Sequence, residues 1–248
     1  MGKIPIALQL YSVRKECEKD FEKTIKEISE MGYEGVEFAG YYGKSANELK
    51  KILDKYNLKV AGTHIPINTL IGDELEKTVE FNYILENKYL IIPSLPEEYT
   101  KDKKGWEKAI ELINEISSKL RSYKMILGFH NHSIEFQRIN GETFWNFFFD
   151  NVNEDVVMQL DTGNAMNGGA DPLEILRRYL KRAKTIHLKE YPLTSRAIGE
   201  GIINWKEIFD ICEKEGKTEW YIVEYENPSF PPLESVRLCL ENIKKIKE

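Results

Sequence analysis

Eight times along the chain a short run of aliphatic and β-branched residues gives way to a longer amphipathic run, as a parallel sheet covered by helices requires. The strand candidates are IPIALQL from Ile4, GVEFA from Gly35, KVAGTH from Lys59, YLIIPS from Tyr89, MILGFHN from Met125, VVMQLD from Val156, AKTIHLK from Ala183 and WYIVEYE from Trp220. Between them the spacing predicts helices, as in DFEKTIKEISEMG, where Phe21, Ile25 and Ile28 recur at helical intervals and Met31-Gly32 closes the run. NELKKILDKYN, GWEKAIELINEISSKLRSY and ESVRLCLENIKKIKE follow the same rule. Strand and helix pairs of this number in 248 residues match the size of a (β/α)8 TIM barrel. No Pro, Gly or Ser-rich linker interrupts them, so residues 1–248 read as a single α/β domain. The competing fold, an open doubly wound sheet with a dinucleotide site, calls for glycines at the first strand turn, and LQLYSVRKE has none. Gly199 and Gly201 in AIGEGIINW form a lone GxG, most simply a turn.

Hydrophobic residues make up 42% of the chain, enough for a sizeable core. Lysine and arginine number 35 against 41 aspartates and glutamates, and no segment concentrates basic charge enough to neutralise a run of phosphates. Nucleic acid is therefore not an expected partner. Cys17, Cys212 and Cys239 are odd in number, widely spaced and without a CxxC pair, which points to a reducing, cytoplasmic setting. The opening MGKIPIALQLYSVRKE has too short an apolar stretch for a signal peptide, and Ile6 stands where a myristoylation motif wants Ser or Thr. No stretch approaches the roughly 20 apolar residues of a membrane span. A homo-oligomer is compatible with the sequence, which fixes no oligomeric state.

In a barrel of this kind active sites lie at the C-terminal ends of the strands, and all four histidines fall there. His64 ends the third strand, His130 and His132 the fifth, and His187 lies late in the seventh. Glu37 lies on the second strand, Asp161 ends the sixth, and Glu224 and Glu226 end the eighth. Alternation on a strand sends His130 and His132 to one face and Asn131 to the other. Buried carboxylates without partners are strongly disfavoured, and a divalent cation among them supplies the missing charge. Mixed imidazole and carboxylate donors suit Mn2+, Zn2+, Co2+, Fe2+ or Ni2+ better than Ca2+.

Plainer readings compete. A single histidine at a strand end is more often a hydrogen-bonded structural residue than a ligand. Asp161 in LDTGN can make an Asx turn, and Glu37 and Glu226 can be solvated rim charges paired with lysines. Trp106, Trp145 and Trp205 lie in helical patterns and read as packing residues, with Trp220 at the barrel base. The conjunction of polar strand ends carries the case for a site.

LQLYSVR, GVEFAG, FHNHSIEF, LDTGN, IHLKE, GEGIINW and VEYE, in this order across nearly the whole chain, resemble the xylose isomerase-like TIM-barrel superfamily of sugar phosphate isomerases and epimerases. The resemblance implies one divalent ion (Mn2+, Zn2+ or Co2+) held at the ends of strands five to eight by His130, Asp161, His187 and Glu224. His132 is the alternative to His130. It also implies that Gln9, His64, His132 and Lys189 face the substrate and that Asn164 lies close to the ion. Glu37 and Glu226, from the strand-end pattern, join the expected substrate-binding residues.

The superfamily's ketose epimerases carry a glutamate where His130 stands, serving as ligand and as one of two acid/base carboxylates. The HNH pattern is more similar to the inosose dehydratase-like branch, which eliminates water from a keto-polyol. The expected activity is metal-dependent isomerisation or epimerisation of a keto sugar or polyol, with dehydration by a lyase as runner-up. Glu224 is the expected ligand and base, and His132 or Lys189 returns the proton. Outside enzymes the alternative is a non-catalytic sugar-binding barrel. The superfamily's endonuclease IV type needs several zinc ions, for which four histidines are too few.

Overall fold

The computed structural model describes residues 4–139, 141–214 and 216–248. All eight predicted strands form, over Ile6–Gln9, Gly35–Ala39, Lys59–His64, Tyr89–Ile92, Ile126–His130, Val157–Asp161, Thr185–Leu188 and Trp220–Val223. Neighbours pair in parallel, and the eighth closes on the first through Ile6–Tyr221, Ala7–Ile222 and Leu8–Val223. The sheet is a closed barrel with no free edge, surrounded by helices in the single α/β domain that the alternation predicts.

Local chemistry sets the helix ends. The Asp20 carboxylate accepts from the Lys23 amide at 3.1 Å to start Phe21–Met31, and Gly32 ends it at φ +98°, a conformation that a Cβ would penalise. Ser45 and Glu48 form a capping box on Ala46–Lys55. Helices Lys103–Ser122 and Pro232–Lys247 lie where the apolar spacing puts them. The helix Phe144–Asn151, which carries Trp145, is apolar on nearly every side. It is wedged against the barrel wall and the neighbouring helix, with Phe148 touching both Phe129 and Trp106. A two-residue ribbon, Arg138–Ile139 paired with Glu142–Thr143, precedes it outside the barrel.

The barrel interior has two storeys. At the base Ala7, Ala61 and Ile222, and beside them Tyr89, Ile91 and Val157, pack around the half-buried Trp220. Trp106, Trp145 and Trp205 are buried on helices, as expected of packing residues. Higher up the interior turns polar, and Gln9, Glu37, Gln159, Thr185 and His187 have no exposed surface. Register brings them together, placing Gln9 beside Glu37 and Asp161 beside His187 on adjacent strands. The register between strands two and three shifts at Val36/Glu37, and a Cβ on Gly62 would lie 2.6 Å from Glu37 Oε1. That irregularity and the missing side chain together make room for a carboxylate inside the barrel.

Candidate active site

The polar storey is organised around His187. Its Nε2 lies 2.6 Å from Glu37 Oε2 and its Nδ1 2.8 Å from Glu224 Oε2, so one imidazole bridges two carboxylates from the second and eighth strands. Glu37 is itself saturated. Gln9 Nε2 donates to Oε2 at 2.7 Å, Gln159 Nε2 donates to Oε1 at 2.8 Å, and His64 Nε2 lies 3.1 Å from Oε2. Burial alone would raise the Glu37 carboxyl, but the His64 and His187 rings hold it well below the usual carboxylate range. Burial likewise disfavours the His187 cation, yet Glu37 and Glu224 push that imidazole up to about 10.

One donor atom each from His130, Asp161, His187 and Glu224 lies within 4.8 Å of all the others. The first three are almost or wholly without exposed surface, and Glu224 retains a small accessible face. Two atoms of this group, His130 Nδ1 and Asp161 Oδ2, are buried with no hydrogen-bond partner. Buried polar atoms are rarely left so, and a divalent cation among these four residues would complete both. At His130 the electrostatics suit that use, whereas the raised pKa values of His187 and Asp161 hold protons that an ion would have to displace. Burial, with His187 and His64 nearby, drives the His130 pKa well below the usual histidine range, leaving a neutral donor. Burial raises Asp161 to about 7 against the pull of Lys189, whereas Lys189 and His187 outweigh burial at Glu224 and hold it well below its ordinary range. His64, His130 and His187 also cluster, but His64 Nε2 is already 2.8 Å from Gln159 Oε1.

The motif LDTGN is built for this placement. Asp161 Oδ1 accepts from the Asn164 amide at 2.7 Å and caps the short helix Thr162–Asn167, which leaves Oδ2 for the cluster. The Asx reading therefore holds for one oxygen, and the other is left without a partner. Thr162 Oγ1 donates to the Lys189 carbonyl at 2.7 Å, and a Cβ on Gly163 would meet the Glu190 carbonyl at 2.7 Å. Strands six and seven are thus clamped together where Asp161 and His187 emerge.

A cavity of about 720 Å3 opens at the C-terminal mouth, with His64, His130, His132, Glu224 and Glu226 on its polar side. His132 lies beyond the end of its strand, exposed on the rim, its ring centroid 5.1 Å from that of His130. It stands outside the four-residue cluster, so His130 is the one of the pair placed to be a ligand. Lys189 Nζ lies 3.0 Å from Glu224 Oε1 and also pairs with Glu226, so Glu226 is both a lysine partner and a rim residue. Gln9 and Glu37, expected to bind substrate, have no exposed surface and are absent from the cavity lining; they lie beneath its floor, Glu37 opposite Gly62 and Gln9 hydrogen-bonded to it. Asn164 is also buried, its Nδ2 donating to the Asn131 carbonyl at 3.2 Å beside Asp161.

Four residues escaped the sequence reading. Gln159 ties His64, Glu37 and Thr185 together, and its place two residues before Asp161 on one strand face was a usable signal. Asn131, on the opposite face from His130, exchanges hydrogen bonds with the Asp161 backbone at 2.8 and 3.1 Å. Glu135 accepts from the His132 amide at 2.8 Å. Glu190 anchors the GEGIINW loop, accepting from the Gly199 amide and Trp205 Nε1, both at 2.7 Å.

Comparison with known proteins agrees with the fold. An inosose dehydratase from Clostridium botulinum (strain Alaska E43 / Type E3) is 24% identical over 88% of this chain and 86% of its own length. A sugar phosphate isomerase/epimerase from Parabacteroides distasonis ATCC 8503 superposes with a TM-score of 0.85 at 22% identity, covering 98% of this chain and 96% of that one. An L-ribulose 3-epimerase superposes with a TM-score of 0.74 at 13% identity, covering 99% and 96%. Residues 25–246 match the sequence profile of the xylose isomerase-like TIM barrel, a match that runs through every residue of the cluster. The chain belongs to the xylose isomerase-like TIM-barrel family.

Proposed function

We propose that the protein is a divalent-metal-dependent enzyme that removes a proton from the carbon next to the carbonyl of a keto sugar or polyol. The observation that carries this reading is the pair of unpartnered buried atoms, His130 Nδ1 and Asp161 Oδ2, within a four-residue donor set at the floor of the cavity. His130, Asp161, His187 and Glu224 would hold the ion, which supplies Lewis acidity toward the substrate's carbonyl oxygen. Glu224 is the one carboxylate of the set that reaches the cavity, so it is assigned as the base. Lys189, held between Glu224 and Glu226, steadies the Glu224 charge. His132 on the rim is free to return the proton.

A second reading, elimination of water, is favoured by His130 itself. With an imidazole at the fifth-strand position, the carboxylate that epimerisation uses there is replaced by His130, and the other cavity-lining carboxylate, Glu226, follows Glu224 in the same eighth-strand segment. In elimination Glu224 takes the proton, the C–H electrons form a C=C bond, and the neighbouring C–O bond breaks. The departing hydroxide leaves as water with a proton from His132. The dehydratase name borne by the Clostridium botulinum relative supports the same outcome.

The test is incubation of keto sugars and inososes in D2O with Co2+, followed by mass spectrometry. A gain of one mass unit in recovered substrate marks proton abstraction, and loss of 18 mass units marks dehydration. A ligand that binds but never exchanges its proton would leave a sugar-binding barrel.

A further inference from the structure

On the side of strands two to four the cavity has a wall of a different kind. Tyr41 and Phe81 lie against each other there, their rings tilted by 31° with centroids 4.0 Å apart, and Ile65, Pro66 and Pro93 continue the surface. The hydroxyls on this wall are tied to neighbours. Thr69 Oγ1 donates to the Pro66 carbonyl at 2.8 Å, Thr78 Oγ1 donates to the Thr69 carbonyl at 2.8 Å, and the Tyr41 hydroxyl accepts from Asn82 Nδ2 at 3.1 Å. Lys77, at the outer rim, is 2.6 Å from Glu74.

A bare sugar carries hydroxyls around its whole edge. Its C–H face can lie on an aromatic ring, but the hydroxyls then need partners beside that ring, and losing water without gaining one is unfavourable. One half of the cavity is thus equipped for a polar ligand and the other for an apolar one. Its volume of about 720 Å3 leaves space beside a single sugar ring.

We propose that the substrate is amphiphilic, a hydroxyketone sugar that sits at His130 and Glu224 and carries a flat apolar substituent, such as an aryl group, on Tyr41 and Phe81. The polar half of this assignment rests on the function proposed above, and the apolar half on the Tyr41–Phe81 wall alone.

The experiment compares the methyl and phenyl glycosides of one oxidised hexose, with a ketone beside a ring hydroxyl, by calorimetric titration into the Co2+-supplemented protein. The phenyl glycoside should bind about tenfold more tightly or better. Phe81→Ala should bring the ratio of the two dissociation constants towards one. Equal affinities in the wild-type protein, or no binding of the phenyl glycoside at millimolar concentration, overturn the proposal without recourse to any variant. A preference for the phenyl glycoside with no deuterium uptake by either ligand would uphold the apolar wall and overturn the proton-abstraction reading instead.

Discussion

Glu37 Oε2 lies 2.6 Å from His187 Nε2 beneath the cavity floor, which leaves Nδ1 as the nitrogen that faces Glu224 and the donor cluster. A carboxylate behind a histidine fixes the ring's orientation and tautomer. Glu37→Gln should therefore weaken metal binding by about 10- to 100-fold, read by competition with a chromophoric chelator. Unchanged affinity in a folded variant would show that Glu37 has no part in orienting His187.

Metal should stabilise the fold. At an ion concentration about 100 times the dissociation constant the gain is about 2.7 kcal/mol, visible as a rise in Tm that EDTA reverses. Asp161→Asn and His130→Ala should each suppress most of that rise. A rise that survives both substitutions would place the ion elsewhere.

Glu224→Gln should lower turnover by about 10²- to 10⁴-fold, the range for loss of a general base, with the circular dichroism spectrum unchanged. Wild-type activity in that variant at saturating metal would remove Glu224 from the reaction.

Glu135 is buried, and burial pushes its carboxyl from the ordinary 4.5 up to about 7. The folded state then binds this proton more tightly than the unfolded chain. Its contribution is fully present below pH 4.5 and is lost as pH rises to about 7. Urea unfolding across that window should show stability falling by at most about 1.4 kcal/mol per pH unit from this group, and a flatter slope in Glu135→Gln. Parallel profiles for the two proteins would exclude Glu135 as the source.

Glu190 fastens its loop through Tyr191 N at 2.9 Å as well as Gly199 N and Trp205 Nε1. Glu190→Ala leaves these donors without their acceptor and should cost about 3 kcal/mol or more. Hydrogen exchange should quicken first at residues 191–203. A Cβ on Gly201 would collide with the Tyr191 carbonyl and the Glu190 carboxylate, so Gly201→Ala should loosen the same segment.

The strands were legible because each is a compact apolar run between turn residues, and barrel closure followed from their number. The gathering of His130, Asp161, His187 and Glu224 at one mouth was legible from their places at strand ends, and the choice of these four as a donor set came from the family resemblance. Glu37 was misplaced, since its burial depends on a register irregularity and on Gly62 in the neighbouring strand, neither of which shows in the local pattern. Glu190 and Gln159 were missed for a related reason. Their partners lie on other segments, and only folded coordinates bring a carboxylate to the Trp205 indole or an amide to His64.

The crosspiece under the site joins Gln9, Glu37, Gln159 and His187 from four separate strands, the other three converging on the Glu37 carboxylate. Replacing one alone strands the others in a dry interior. In descendants of this protein those positions should change in concert, whereas the cavity walls above remain open to piecemeal revision. New specificities could then arise over an unaltered foundation.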